Sequence, residues 1–216
     1  MSAQPPYQTL LFDLDGTLID SVGLIFASYN HTLRVHRGEE RDDDYWLTKL
    51  GTPLRTQLAE FSDDPVEVEA MATTYREHNH GLHDELVRAY DGIVELFQAL
   101  ESRSNSLGLV TSKSQLGARK GLELIGIDDR FETLVCLEDV DRHKPHPAPV
   151  LKALERMSVP AQSAIYIGDS PHDLLSGRAA GTATAAVAWG PFPRAELDAC
   201  DPDHWLETPA DLLALI

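Results

Sequence analysis

The chain has 216 residues, 43% of them hydrophobic and 25% charged, with a formal net charge of −17 at pH 7. These proportions are typical of a globular protein with one α/β core and a small insertion. So large a negative charge argues against binding to nucleic acid or to an anionic membrane surface, because it repels phosphates at long range. No apolar run approaches the roughly 18 residues of a membrane span and no targeting signal precedes residue 10, so the expected location is the cytoplasm.

The first predicted strand ends in two carboxylates. Apolar residues 10–12 lead into Asp13 and Asp15, and a Gly-Thr pair then interrupts the run. On an extended backbone these two side chains point the same way, and like charges so close are costly unless a cation lies between them. Gly16 allows a tight turn that brings amide N–H groups near an anion, so it is a candidate for substrate binding. The stretch predicts a divalent metal beside a phosphate site.

Apolar residues recur with the period of an α-helix throughout the segment 21–87. Apolar residues fall on one face of a helix over 22–33 and again over 68–82. An acidic run at 39–44 lies after the first of these helices and is interpreted as a solvated loop or a helix start. No strand signal interrupts this segment.

A loop within the helical segment contains candidate substrate contacts. Thr52 and Pro53 suit a helix N-terminus, with proline at the first helical position. Lys49, Thr52 and Arg55 flank the loop and would meet the leaving group of a substrate if the loop folds over the core. Exposed charges that only increase solubility are the alternative interpretation.

Strands and helices alternate over the rest of the chain. Apolar segments predict strands at 107–110, 131–137, 164–167 and 183–188, and amphipathic patterns predict helices at 93–100, 115–124, 147–157, 171–180 and from 208 to the end. Ser170, Pro171 and Asp173 form a helix start with a capping serine, a proline at N1 and an acid at N3. The alternation predicts an α/β fold with a parallel, doubly wound sheet.

The helical segment interrupts this sheet directly after its first strand. We therefore expect residues 1–20 and 88–216 to form an α/β core domain and residues 21–87 to form an inserted helical cap domain. Such a core, with its helices on both faces of a parallel sheet, binds ligands at the carboxyl ends of the strands.

Polar residues follow three of the later core strands. Thr111 and Ser112 follow the second predicted strand, Lys144 lies beyond the third, and Asp169 follows the fourth. The two hydroxyls are candidates for phosphate binding, and the lysine for charge stabilisation. Asp173, on the first turn of the next helix, is either a further metal ligand acting through water or an ordinary helix-start acid.

These residues resemble the signature motifs of the haloacid-dehalogenase-like (HAD) hydrolase superfamily. The string Phe-Asp-Leu-Asp-Gly-Thr-Leu-Ile-Asp-Ser at 12–21 is similar to the first motif at every defining position. Thr111, Lys144 and Asp169 match the second, third and fourth motifs in order. The helical insertion looks like the C1-type cap of that superfamily.

The resemblance implies a phosphatase mechanism through an aspartyl-phosphate. It implies that Asp13 is the nucleophile and that Asp15 is the general acid and base. Mg²⁺ is the implied cofactor, held by Asp13, Asp169 and the backbone carbonyl of Asp15. Thr111 and Lys144 would bind the transferring phosphoryl group and offset its charge.

Two segments indicate which branches of the superfamily the chain resembles most. Residues 79–87 and 177–189 look most similar to the pyrophosphatase and phosphoglycolate phosphatase branches, and the first of them favours pyrophosphatase. The segment 89–92 departs from the usual Pro-Tyr-Pro-Gly of the superfamily, which weakens the phosphoglycolate assignment. Dehalogenases lack the second acid, so Asp15 argues against them.

The expected partner is a small phosphorylated substrate, with inorganic pyrophosphate favoured over phosphoglycolate. A sugar-phosphate phosphatase or phosphomutase stays open, because those enzymes share the second acid. Outside the enzymes, the alternative is a catalytically silent module that binds a phosphorylated ligand. The chain is expected to be a monomer or a homodimer.

Overall fold

Six parallel strands form the central sheet of the chain, which a computed structural model describes from residue 7 to residue 216. In chain order the strands are β1 (Thr9–Phe12), β2 (Ile19–Asp20), β3 (Arg88–Ala89), β4 (Ser106–Val110), β5 (Thr133–Val135), β6 (Ala164–Gly168), β7 (Ala183–Val187) and β8 (His204–Leu206). The sheet has the order β5-β4-β1-β6-β7-β8, and the short strands β2 and β3 form a separate antiparallel pair. The parallel sheet confirms the predicted fold class.

The described part of the chain contains nine α-helices. They are α1 (Val22–Arg37), α2 (Asp43–Leu47), α3 (Leu54–Leu58), α4 (Pro65–Leu86), α5 (Ile93–Leu100), α6 (Gln115–Ile125), α7 (Ala148–Met157), α8 (Pro171–Ala180) and α9 (Arg194–Asp198). A short 3₁₀ helix at Pro209–Ala214 replaces the terminal α-helix that the sequence predicts.

Side chains of β1 alternate between the two faces of the sheet, as the two-residue period of a strand requires. Leu10 and Phe12 pack in a cluster with α5 and α6, and Leu11 packs in another cluster with α7. All three side chains are almost completely buried. Both faces of the sheet are therefore covered by helices, which explains why the strands are continuous apolar runs.

The helices α1 to α4 have a hydrophobic cluster of their own. The rings of Tyr29 and Trp46 stack with centroids 4.6 Å apart at its centre. The chain leaves and rejoins the core through the antiparallel pair β2 and β3, in which Ile19 faces Ala89. These features support the proposed division into a core of residues 1–20 and 88–216 and a cap of residues 21–87.

Two short elements differ from the sequence-based expectation, and a third agrees with it. Helix α2 begins inside the acidic run, as the helix-start interpretation allows, and the Asp42 carboxylate caps it by accepting the Tyr45 N–H at 2.8 Å. Helix α3 begins at Leu54 with Pro53 as its N-cap, so Thr52 does not cap it. No sequence pattern predicted β8, a three-residue edge strand in which only Leu206 is buried.

Candidate active site

The carboxylate of Asp13 lies at the carboxyl end of the central strand β1. Its backbone N–H donates to the Ile167 carbonyl at 2.9 Å, so the residue continues the pairing of β1 with β6. The residue is only 6% exposed. Burial raises the pKa of Asp13 to about 7, although the nearby Lys144 ammonium lowers it in part. An acid placed in so costly a position points to a functional role.

Lys144 is a buried cation that connects two carboxylates. Its Nζ donates to Asp13 Oδ1 at 2.8 Å, to Asp173 Oδ1 at 2.6 Å and to the Tyr166 hydroxyl at 3.2 Å. These contacts use all three donors of the ammonium group. Burial alone would lower the pKa of Lys144, but the two carboxylates raise it above its ordinary value. The lysine is therefore a permanent positive charge beside Asp13.

Asp169 has a carboxylate oxygen without a protein partner. Thr17 Oγ1 donates to its Oδ1 at 2.7 Å, and its buried Oδ2 accepts no hydrogen bond from the described residues. Burial, followed by the charges of Asp173 and Asp13, raises the pKa of Asp169 well above its ordinary value. Gly16, at φ +88°, makes room for this carboxylate, since a Cβ there would lie 2.4 Å from Oδ2. The unpartnered oxygen marks a position for a cation.

Oxygen atoms of Asp13, Asp169 and Asp173 lie within 4.8 Å of one another. Such a hard-oxygen donor set suits Mg²⁺, and the unpartnered Asp169 oxygen fits a metal at the site. Asp173 differs from the other two, because its Oδ1 accepts from Lys144 and its Oδ2 accepts the Ser170 hydroxyl at 2.5 Å. The capping box predicted for Ser170 and Asp173 is present. The structure therefore favours Asp13 and Asp169 as direct ligands, and a metal role for Asp173 stays a prediction.

Asp15 lies at the boundary between the core and the cap. Its Oδ1 accepts the Ser21 hydroxyl at 2.5 Å and the Lys113 ammonium at 2.6 Å. Because both partners use the same oxygen, Oδ2 is available for proton transfer as far as the described residues are concerned. The sequence patterns assigned no role to Lys113 or to Ser21. The signal for Lys113 was its place in the polar loop after β4, directly following Thr111 and Ser112.

Thr111 and Ser112 lie in the loop after β4. The Thr111 N–H donates to the Val135 carbonyl at 2.9 Å, and its Oγ1 accepts the Lys113 N–H at 3.2 Å. Ser112 Oγ is buried and has no hydrogen-bond partner among residues 7–216. An unpartnered buried hydroxyl at a strand end is suited to bind a phosphoryl oxygen.

A cavity of about 630 Å³ separates the core loops from the cap. Asp15, Ser112 and Lys113 line it from the core, while Thr52 and Arg55 line it from the cap. Its size suits a small ligand. The cavity gives a substrate access to Asp15 from the side of the cap.

Two of the cap residues proposed from the sequence are paired with acids. Lys49 is not among the residues that line the cavity, and its Nζ lies 2.7 Å from the Glu60 carboxylate. Arg55 lines the cavity, but its guanidinium makes a two-pronged contact with Glu69 at 2.7 and 3.0 Å. The solubilising interpretation thus describes Lys49 better than the substrate-contact interpretation does. For Arg55 the substrate role stays a prediction.

Comparisons with known proteins agree with this geometry. The profile of the haloacid dehalogenase-like hydrolase family matches residues 10–187. The chain is 39% identical over 208 residues to pyrophosphatase PpaX of Bacillus cereus (strain G9842), covering 96% of this chain and 95% of the relative.

Solved structures with the same fold include two hydrolases. A provisionally named phosphoglycolate phosphatase from Lactobacillus plantarum superposes with a TM-score of 0.87 at 27% identity, covering 98% of this chain and 100% of that one. A haloacid dehalogenase-like hydrolase from Streptococcus pneumoniae gives a TM-score of 0.83 at 25% identity over 96% of this chain and 97% of its own. Together with the acids and the lysine at the strand ends, these similarities show that the chain belongs to the haloacid dehalogenase-like hydrolase family.

Proposed function

We propose that this hydrolase is a Mg²⁺-dependent phosphatase that uses Asp13 as its nucleophile and prefers inorganic pyrophosphate. The observation that supports this most strongly is the arrangement of three groups around Asp13. A buried ammonium contacts it at 2.8 Å, and Asp169 offers an unpartnered oxygen nearby. Asp15, two residues on, faces the cavity.

In the first step an Asp13 oxygen attacks phosphorus, and the bond from phosphorus to the leaving oxygen breaks. Asp15 donates a proton to that leaving oxygen, and the phosphoryl group stays on Asp13. In the second step Asp15 takes a proton from water, whose oxygen attacks phosphorus; the bond from phosphorus to the Asp13 oxygen breaks, which releases inorganic phosphate and regenerates Asp13. Mg²⁺ held by Asp13, Asp169 and the Asp15 carbonyl would offset the repulsion between the nucleophile and the phosphate dianion.

The remaining site residues bind the transferring phosphoryl group. Lys144 supplies a fixed positive charge, and Thr111 and Ser112 supply hydroxyl donors at the end of β4. Backbone amides of the turn at Gly16 are further candidate donors. All of these groups are held by elements of the core, so the site is preorganised for charge that develops at phosphorus.

Pyrophosphate is favoured for two reasons. The relative at 39% identity is named a pyrophosphatase. The cations Arg55 and Lys113 line the cavity. Hydrolysis of 2-phosphoglycolate is the second candidate, since a structural neighbour bears that name and the substrate is similarly small and anionic. A sugar-phosphate phosphatase or phosphomutase would use the same acids, but the cationic lining of the cavity favours an anionic leaving group.

The cellular setting is part of the proposal. In the part of the chain that the structure describes, no helix has the length and apolar character needed to cross a membrane. We place the enzyme in the cytoplasm, as a monomer or a homodimer, with small phosphate compounds rather than nucleic acid as partners. The net charge of −17 supports the last point.

A phosphate-release panel tests the proposal. The purified enzyme with Mg²⁺ is offered pyrophosphate, 2-phosphoglycolate, sugar phosphates and nucleotides, and the catalytic efficiencies are compared. We expect pyrophosphate to rank first and Asp13→Asn to abolish release from every compound. Release that survives in Asp13→Asn would contradict the mechanism. Binding of these compounds without turnover by the wild-type enzyme would favour a silent binding module.

A further inference from the structure

Lys113 lies where the leaving part of a substrate would pass from Asp15 into the cavity. Its Nζ is 2.6 Å from Asp15 Oδ1, and both residues line the cavity. We propose that Lys113 binds a negatively charged leaving group and thereby sets a preference for such substrates over phosphate esters of neutral alcohols. This inference rests on the proposed function of the site and identifies a residue that determines its specificity.

The backbone and the stem of Lys113 are held in place. Its N–H donates to Thr111 Oγ1 at 3.2 Å, and its carbonyl accepts the Leu137 N–H at 3.0 Å. The stem crosses the first turn of α6 at Gly117, where a Cβ would lie 3.1 to 3.3 Å from Cγ, Cδ and Cε. The glycine thus provides the space through which the side chain reaches Asp15, and the ammonium lies at a defined position.

The ammonium of Lys113 has donors to spare. It has three N–H groups, and Asp15 is its one hydrogen-bond partner among the described side chains and carbonyls. Lys144, by contrast, makes contacts with three different protein oxygens. Lys113 can therefore keep its contact with Asp15 and donate to a substrate oxygen at the same time.

The other cations that line the cavity already form ion pairs with an acid. Arg55 and Arg76 both line it, and both contact the carboxylate of Glu69, at 2.7 and 3.1 Å. The partner of Lys113 is instead the residue proposed to protonate the leaving oxygen. That oxygen must come within about 3 Å of Asp15. Atoms one or two bonds beyond it then lie within reach of Lys113, so a charged group there gains an ion pair that a neutral alcohol does not offer.

The test compares substrates that differ in the charge of the leaving group. Pyrophosphate and 2-phosphoglycolate have anionic leaving groups, and glycerol 2-phosphate has a neutral one. Lys113→Met keeps the stem beside Gly117 and removes the charge. We expect it to lower kcat/KM for the two anionic compounds by about ten- to a hundredfold, the usual effect of one charged hydrogen bond, with most of the change in KM. The loss on glycerol 2-phosphate should be at least about fivefold smaller.

Two further variants control the comparison. Lys113→Arg should recover part of the lost efficiency on the anionic compounds, because it restores the charge. Lys120→Met is the matched control, since Lys120 lies close by in the sequence, on helix α6, but its Nζ contacts the His80 carbonyl and it does not line the cavity. Thermal unfolding confirms that each variant is folded, and Lys113→Gln replaces the methionine variant if that one is unstable.

Equal losses on all three substrates would overturn the inference, because they would mean that Lys113 acts only through Asp15. No loss on any of them would overturn it too. These outcomes are ratios between variant and wild type, and they leave the proposed function standing. Failure of the wild-type enzyme to hydrolyse any of the three compounds would instead refute the proposed function, and this inference with it.

Discussion

Asp13 is a carboxylate in a position that an ionised acid occupies only at a cost, since burial raises its pKa to about 7. Asp13→Asn keeps the shape of the side chain and an oxygen that can accept from Lys144, but it removes the nucleophile. We expect turnover to fall by several orders of magnitude. The amide of the variant has no charge that burial would make costly. Without metal, the thermal unfolding midpoint of the variant at about pH 8 should therefore equal or exceed that of the wild type. A lower midpoint would mean that the Asp13 charge stabilises the fold.

Lys144 is the only cation in contact with the buried carboxylates of Asp13 and Asp173 among the residues described. Lys144→Met leaves both acids buried and unpaired, so the free energy of unfolding should fall by about 3–5 kcal/mol, together with activity. Lys152→Met is the matched control, because Lys152 is a partly exposed lysine paired with Glu155 on the surface of α7. It should change stability by less than about 1 kcal/mol. Urea unfolding of the three proteins makes the comparison, and similar midpoints would contradict the role given to the buried pair.

The end of helix α4 contains a buried histidine that should make the stability of the fold depend on pH. His83 is 1% exposed, its Nδ1 lies 2.9 Å from Asp84, and its Nε2 has no partner in the described range. Burial lowers the pKa of His83, although Asp84 opposes the shift. The unfolded chain therefore takes up a proton as pH falls through about 6.5 while the folded chain resists it, so stability is lost below that pH.

The variant His83→Gln isolates this effect. Between about pH 7.5 and pH 5.5, the wild type should lose up to roughly 1 kcal/mol more unfolding free energy than the variant does. Other histidines titrate in both proteins, so the difference between the two curves reports on His83 alone. Urea unfolding at the two pH values is the measurement, and parallel changes in both proteins would refute the assignment.

At the scale of the whole molecule, we expect metal binding to increase both turnover and thermal stability. The nearby acids Asp13 and Asp169 repel each other, and a divalent cation between them removes that repulsion. We expect chelation to abolish turnover, Mg²⁺ to restore it, and Ca²⁺ to inhibit, since the looser coordination of Ca²⁺ disturbs the in-line geometry. Mg²⁺ should also raise the thermal midpoint of the wild type but not that of Asp169→Asn. Full activity after exhaustive chelation would refute the metal requirement.

The sequence was informative about the positions of the core groups and uninformative about their partners. Asp13, Thr111 and Asp169 could be placed together, because each follows an apolar strand and parallel strands present their carboxyl ends at one edge of the sheet. The contact between Lys113 and Asp15 joins residues 98 positions apart, so no local pattern reveals it.

The same limit applies to the cap, where short-range patterns predicted helices but not side-chain pairing. The sequence around Lys49 shows no acid that would pair with it, so a substrate contact was a reasonable prediction. In the folded chain the segment after α3 brings Glu60 next to Lys49. Helix α2 is capped at its N-terminus by an aspartate of the acidic run. Elements of about five residues contain too few apolar positions for periodicity to distinguish them from loops.

The antiparallel pair of β2 and β3 has an evolutionary consequence. Ile19 and Ala89 face each other, so the two crossing points of the inserted segment are adjacent. An insertion of any length whose ends meet at this spacing could be exchanged for the present one without altering the register of the six-stranded sheet. Under the proposed division of the chain, substrate choice could therefore change through the inserted segment while Asp13, Lys144 and Asp169 keep their places in the core.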